Sequence, residues 1–144
     1  MSASHAAILA GLLQAALVLG LYVLLGVRRV RWVAATKGAI REIALSSDAY
    51  PEDVRKVGNA VSNQFELPLL FYAGLGLDLY LGADWLFVAL ALLFVVSRLV
   101  HAFIHTTSNN VVQRFQAFSV GYFVVVAMWL WLFARLMMSA FGAA

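Results

Sequence analysis

The sequence predicts an all-α integral membrane protein, organised as one four-helix bundle over residues 1–144. Hydrophobic residues make up 64% of the chain and charged residues only 12%, whereas soluble domains carry roughly 45–50% apolar and about 25% charged residues. Four apolar runs of about membrane-spanning length nearly exhaust the chain. Runs this long and continuous are typical of membrane helices, which satisfy all their backbone hydrogen bonds internally. We therefore expect the lipid bilayer to be the main solvent of this protein.

The first two predicted spans cover approximately residues 6–27 and 59–80. In the first, the apolar run precedes the basic stretch "RRVR", an order that predicts a permanent span and not a secretory signal peptide. A polar helix is expected to lead into the second from about Pro51, because "YPED" supplies proline and acidic residues to a first helical turn. Pro68 lacks an N–H donor, so we expect a kink within this span.

The third and fourth predicted spans cover approximately residues 85–104 and 114–138. The tight turn "LGAD" connects the second span to the third. Seven of the ten Lys and Arg residues lie between the first two spans, whereas the N-terminal tail and the 2–3 turn carry none. The positive-inside rule therefore predicts cytoplasmic 1–2 and 3–4 connections, with both termini on the opposite side.

The composition also excludes several kinds of site. The chain contains no cysteine, which rules out disulfides, thiolate metal sites and a cysteine nucleophile. Its basic residues mostly flank apolar runs, so the sequence indicates no nucleic-acid partner.

Polar side chains from all four spans are predicted to meet at the cytoplasmic end of the bundle. On the third span and just past it, Arg98, His101, His105 and Asn109 fall within roughly 80° of helical angle, and the polar residues of the second span fall within roughly 60°. An ionised side chain in lipid costs at least about 2.5–3.5 kcal/mol, so such residues normally face the bundle interior. The candidate site residues are Arg28, Arg29, Arg31, Asn59, Asn63, Glu66, Arg98, His101, His105 and Arg114.

Several of these residues also have a purely structural interpretation. Arginines at helix ends are often only lipid-interface anchors, which applies to Arg28, Arg29, Arg31 and Arg135. We expect Glu66 to pair with Arg98, and a buried pair of this kind is often no more than a structural tie. Asp78 and Asp84, at the opposite end, are expected to be solvated.

The stretches "NQFELPLLFY" and "SRLVHAFIHTTSNNVVQRF", together with the four short spans and the basic exit from the first, resemble the MAPEG family. These are membrane-associated proteins in eicosanoid and glutathione metabolism. The resemblance covers nearly the whole chain and is strongest between Asn59 and Gly121. It implies a four-helix subunit that assembles as a homotrimer and binds glutathione between subunits at the cytoplasmic level.

The resemblance also implies roles for individual residues. Arg114 matches the family arginine that stabilises the glutathione thiolate, and Arg98 and His101 match ligand-contacting positions. One of Arg28, Arg29 and Arg31 matches an arginine at the edge of the site. Glutathione would be a co-substrate, and no resident metal is implied.

The chain departs from the family pattern at several positions. Aligned on Pro68, Val61 and Gln64 stand where glutathione-using members carry the Asn and Glu of an Asn-x-x-Glu motif. His105 replaces a tyrosine of some members, and Phe115 stands where some carry serine or aspartate. The resemblance therefore does not extend to prostaglandin or leukotriene reactions.

Three hypotheses follow, in this order. The first is a glutathione-dependent transferase or peroxidase that acts on small lipophilic electrophiles, with Arg114 activating the thiol. The second is a non-catalytic membrane protein on the same scaffold, whose polar cluster serves assembly or binds another small anion. The third is a metal site built from His101, His105 and Glu66, although an HxxxH pair with a single carboxylate is a weak metal signature.

Overall fold

The computed structural model describes residues 1–44 and 46–141. Every regular element in these ranges is helical, which confirms the all-α class. Two short 3-10 helices span Ser47–Ala49 and Asn63–Phe65. The α-helices are α1 (Ala3–Ala35), α2 (Ala39–Glu42), α3 (Glu52–Ser62), α4 (Leu67–Tyr80), α5 (Trp85–Thr106) and α6 (Val111–Phe141).

Within the described ranges, α1, α5 and α6 are long and apolar enough to cross a membrane, as expected of an integral membrane protein. The second predicted span is divided among α3, a 3-10 turn and α4. At 14 residues, α4 is about 21 Å long, short of a hydrocarbon core about 30 Å thick. A fourth span at 59–80 therefore stays a prediction.

The division of the second span follows from Pro68, as the sequence predicts. Pro68 lies in the first turn of α4, where its missing N–H costs no helical hydrogen bond. Continuing the α3 helix through this point would press the proline ring against the carbonyl of Gln64. The chain instead breaks at Glu66, whose backbone adopts φ −96° and ψ −99°. The polar half of the predicted span thereby becomes a separate helix from the apolar half.

An apolar core packs α4, α5, α6 and the start of α1 together. At its centre the Phe71 and Phe94 rings stack with their centroids 4.7 Å apart. Small residues let the helices approach closely, as is typical of membrane bundles. A Cβ atom added at Gly121 would lie 2.8 Å from the Ser97 hydroxyl oxygen. This close contact between α5 and α6 sets the spacing of the two helices that carry most of the candidate site.

A second apolar cluster fixes α3 against α1 and α5. It is built from buried side chains of all three helices: Leu21, Leu25, Val54, Val57, Ala60, Val61 and Ala102. Because α3 buries this apolar face, its polar face is turned toward the connection between α5 and α6.

Charged residues at the opposite end of the bundle form a network, and the expectation that Asp78 is solvated was wrong. Asp78 is fully buried in α4 and forms a salt bridge with Arg135 of α6. Arg135 also donates to the carbonyls of Leu81 and Gly82 in the following turn. Asp84 caps α5 and accepts a hydrogen bond of 2.8 Å from the Trp131 indole. The network ties the α4–α5 turn to α6. We call its four side chains the clasp: Asp78, Asp84, Trp131 and Arg135.

Replacing Asp78 by alanine should destabilise the protein in detergent by about 3 kcal/mol, because it leaves Arg135 without its buried counter-charge. Chemical unfolding of the purified protein would measure the change. Asp48→Ala, at an exposed carboxylate, is the matched control and should shift stability by less than about 0.5 kcal/mol. An Asp78→Ala protein as stable as the parent would show that the clasp contributes nothing.

Candidate functional site

A polar cleft of about 390 Å³ lies between α3, α5 and α6, and we call it the inner cleft. Apolar side chains of α6 form one wall, and polar side chains form the rest. The structure thereby brings together five predicted site residues from distant parts of the sequence. The polar wall consists of Asn59, Ser62, Asn63, His101, His105 and Arg114.

Arg114 lies in the first turns of α6 and is held by two neutral groups. Its Nη1 donates to the Asn109 side-chain oxygen at 2.7 Å and lies 3.1 Å from His105 Nε2. Asn110 starts α6 by accepting a hydrogen bond from the Gln113 N–H at its side-chain oxygen, a typical helix cap. Among the described residues no carboxylate pairs with Arg114, so its positive charge is not neutralised.

Arg98 is fully buried next to the inner cleft. Its Nη2 donates to the Asn63 carbonyl at 3.2 Å, and its guanidinium carbon lies 5.9 Å from the Phe118 ring centroid. Nε and Nη1 have no partner among the described residues. A buried guanidinium with three such unpaired N–H bonds has donors to offer to a further acceptor.

The prediction of an ion pair between Glu66 and Arg98 was wrong. The only salt bridges among the described residues are Lys56–Glu52 and Arg135–Asp78. Glu66 is exposed and lines neither cleft. The physical reason is the break at Pro68: it ends the helical phase of α3 before Glu66, so this side chain no longer shares the face of Asn59 and Asn63.

His101 and His105 lie edge to face, with ring centroids 5.6 Å apart. Both have a buried Nδ1 atom without a partner among the described residues. No three His, Cys, Asp or Glu side chains in the described part of the chain lie close enough to hold a metal ion. Because Glu66 is exposed and does not join the two histidines, the metal hypothesis lacks its third ligand.

The three arginines at the end of the first span do not line the inner cleft. Arg28 donates to the Asp53 carbonyl at 2.7 Å, which ties α1 to α3, and Arg31 is exposed. Arg29 lies 5.0 Å from the Tyr50 ring centroid and lines a second cleft of about 440 Å³, which we call the loop cleft. The two clefts share Asn59 and Ser62 as lining residues.

The loop cleft carries both signs of charge. Lys56 forms a salt bridge of 2.9 Å with Glu52, and the hydrogen bond and charge of Lys56 lower the pKa of the Glu52 carboxyl. Arg29 and Arg55 remain without a carboxylate partner among the described residues. The loop cleft is therefore a polar extension of the inner cleft with surplus positive charge.

Gln14 and Gln64 form a buried contact that the sequence pattern did not predict. The Gln14 side-chain nitrogen donates to the Gln64 side-chain oxygen at 3.0 Å, and both side chains are buried. The available signal was Gln14 itself, the single amide in the apolar run at residues 6–27. Gln64 thus faces α1 and not the inner cleft, although it occupies the position of the family glutamate in the Pro68 alignment.

The profile of the MAPEG family matches residues 7–134. The chain belongs to the MAPEG family. The match covers all of α5, most of α1 and α6 and every residue of the inner cleft, and it confirms the resemblance found in the sequence. No curated protein and no solved structure shows significant similarity to this MAPEG protein.

Replacing Gln64 alone by leucine should destabilise this MAPEG protein by about 1–3 kcal/mol, because it strands the Gln14 amide in an apolar environment. Replacing both glutamines by leucine should restore stability to near the parental value, since no unpaired polar group remains. Chemical unfolding of Gln14→Leu, Gln64→Leu and the double variant in detergent completes a double-mutant cycle. Additive losses in the double variant would contradict a direct Gln14–Gln64 interaction.

Proposed function

We propose that this MAPEG protein is a glutathione-dependent transferase or peroxidase for lipophilic electrophiles, with Arg114 as the catalytic residue. The observation that carries the proposal is the state of Arg114. Its guanidinium lines the inner cleft, and only an amide and an imidazole hold it. An uncompensated cation next to a thiol favours the thiolate, because opposite charge lowers the thiol pKa.

The inner cleft and the charged residues around it fit glutathione by size and by charge. A volume of about 390 Å³ lies within the range of roughly 300–1,000 Å³ that is usual for small-molecule sites. Glutathione offers two carboxylates. Arg29 and Arg55 of the adjoining loop cleft have no carboxylate partner among the described residues, and Arg98, next to the inner cleft, has N–H donors without a partner there. The amide side chains of Asn59 and Asn63 can bond its peptide groups.

The chemistry assigned to the cleft is nucleophilic substitution or reduction by sulfur. The thiol loses its proton to water, and Arg114 stabilises the resulting thiolate. In the transferase reaction, sulfur forms a bond to an electrophilic carbon as the leaving group departs with the electron pair. In the peroxidase reaction, the thiolate attacks one oxygen of a lipid hydroperoxide, the O–O bond breaks and an alcohol leaves after taking up a proton. A second glutathione then converts the sulfenic acid to the disulfide and water. Phe115 and Phe118 provide an apolar wall against which a substrate dissolved in the bilayer can lie. The family resemblance adds assembly as a homotrimer to this proposal.

A second candidate function is a non-catalytic scaffold whose polar cluster serves assembly or binds another small anion. The observation that favours it is Gln64, which bonds Gln14 where glutathione-using members present a glutamate. Glu66, the nearest carboxylate in sequence, is exposed and does not replace that residue in the cleft.

Arg114→Ala should lower kcat/KM for conjugation of glutathione to an aryl halide by about 100-fold, as expected when one charge-stabilising donor is removed. Arg114→Lys should retain part of the activity, since it keeps a cation but loses the planar fork. Calorimetric titration of glutathione into protein in detergent measures binding separately. Arg41→Ala, at an exposed arginine outside both clefts, is the matched control.

Two results would overturn the proposal: no heat of glutathione binding, or an Arg114→Ala variant that conjugates at the parental rate. Either result, with the purified protein still folded, would favour the non-catalytic scaffold.

A further inference from the structure

We infer that Asn109 and His105 are positioning residues that fix Arg114 by its Nη1 atom, leaving its Nε–Nη2 edge to meet an anionic ligand. The inference deepens the proposed function and rests on it for the identity of that ligand atom, the glutathione sulfur. The geometry of the arginine itself is independent of any ligand.

Asn109 reaches Arg114 because its backbone is left-handed, with φ +51°. It is the only non-glycine residue with positive φ in the described ranges, and asparagine tolerates this conformation better than most side chains. The turn also bonds the Asn109 N–H to the Ile104 carbonyl at 2.7 Å. α5 has already ended at Thr106, and the left-handed turn at Asn109 directs its amide oxygen at Nη1 of Arg114.

The two contacts account for both hydrogens on Nη1. A guanidinium carries five N–H bonds, two on each Nη atom and one on Nε. One Nη1 hydrogen points to Asn109 at 2.7 Å and the other to His105 at 3.1 Å. Three N–H bonds remain, and two of them, Nε–H and one Nη2–H, point in the same direction and form one planar edge. Such an edge suits an anion because two donors act in parallel.

The bond to His105 also fixes which imidazole nitrogen carries the proton. Arginine is only a donor, so Nε2 of His105 must accept, and the proton of the neutral ring must lie on Nδ1. A tyrosine at this position, as in some family members, would present a hydroxyl that can itself donate. His105 therefore acts on Arg114 as a pure acceptor and adds no competing donor at Nη1.

The first test needs no ligand: reaction of the folded protein in detergent with phenylglyoxal, which condenses with both Nη atoms of an arginine. Peptide mapping by mass spectrometry gives the rate at each arginine. Asn109→Gly, which keeps the positive φ but removes the amide, should speed modification of Arg114 several-fold, up to about tenfold, through loss of a charge-assisted hydrogen bond. Exposed Arg31 in the same sample should react at an unchanged rate.

The matched control is Asn110→Ser, at the neighbouring asparagine, where serine keeps the helix cap. It should leave the rate at Arg114 at the parental value. An unchanged rate at Arg114 in Asn109→Gly would overturn the inference.

The second test measures the catalytic consequence. Asn109→Gly and His105→Phe should each lower kcat by about tenfold and weaken the ultraviolet thiolate absorbance of bound glutathione, with KM for glutathione changed less than twofold. His105→Gln, which restores an acceptor, should recover most of the loss. A structural defect would instead lower binding and activity together.

The two proposals fail in distinguishable ways. If Arg114→Ala lowers activity while Asn109→Gly and His105→Phe do not, the positioning role is wrong and the proposed function stands. If Arg114→Ala leaves activity unchanged, the proposed function is wrong, and the phenylglyoxal rates alone decide whether Asn109 holds Arg114.

Discussion

The break in the helix at Glu66 is the constraint on which the rest of the structure depends. Pro68 prevents one continuous helix, and the break leaves the Asn63 carbonyl free to accept from Arg98. Without an acceptor of this kind, a fully buried guanidinium in a membrane helix would be very costly. The break also separates α3, whose polar face lines the inner cleft, from α4, whose residues complete the apolar core.

The two ends of the bundle differ in the groups that bond their buried charges. In the clasp, Arg135 meets the carboxylate of Asp78, so the charges cancel and the helices are tied together. At the inner cleft, Arg98 and Arg114 are bonded only to neutral oxygen and nitrogen atoms. Neutral acceptors orient a guanidinium but leave its charge available. This difference separates a site that can attract an anion from a structural tie.

Family membership and residue geometry contribute different parts of the functional argument. The MAPEG match covers residues 7–134 and supports a membrane protein of this type. The geometry shows the particular contacts of this chain: Gln64 bonds Gln14 across to α1, and His105 and Asn109 hold Arg114. The immediate partners of Arg114 are therefore the contacts whose substitution is most informative about activity.

The sequence by itself determined the helical membrane class, because composition and apolar run length follow directly from the choice of solvent. Helical periodicity also predicted that His101 and His105 share a face, since both lie on the unbroken helix α5. It did not predict the exposure of Glu66 or the Asp78–Arg135 pair. Periodicity gives an angle around one helix axis, but a break resets that angle, and the partner across the bundle is decided only when the helices pack in three dimensions.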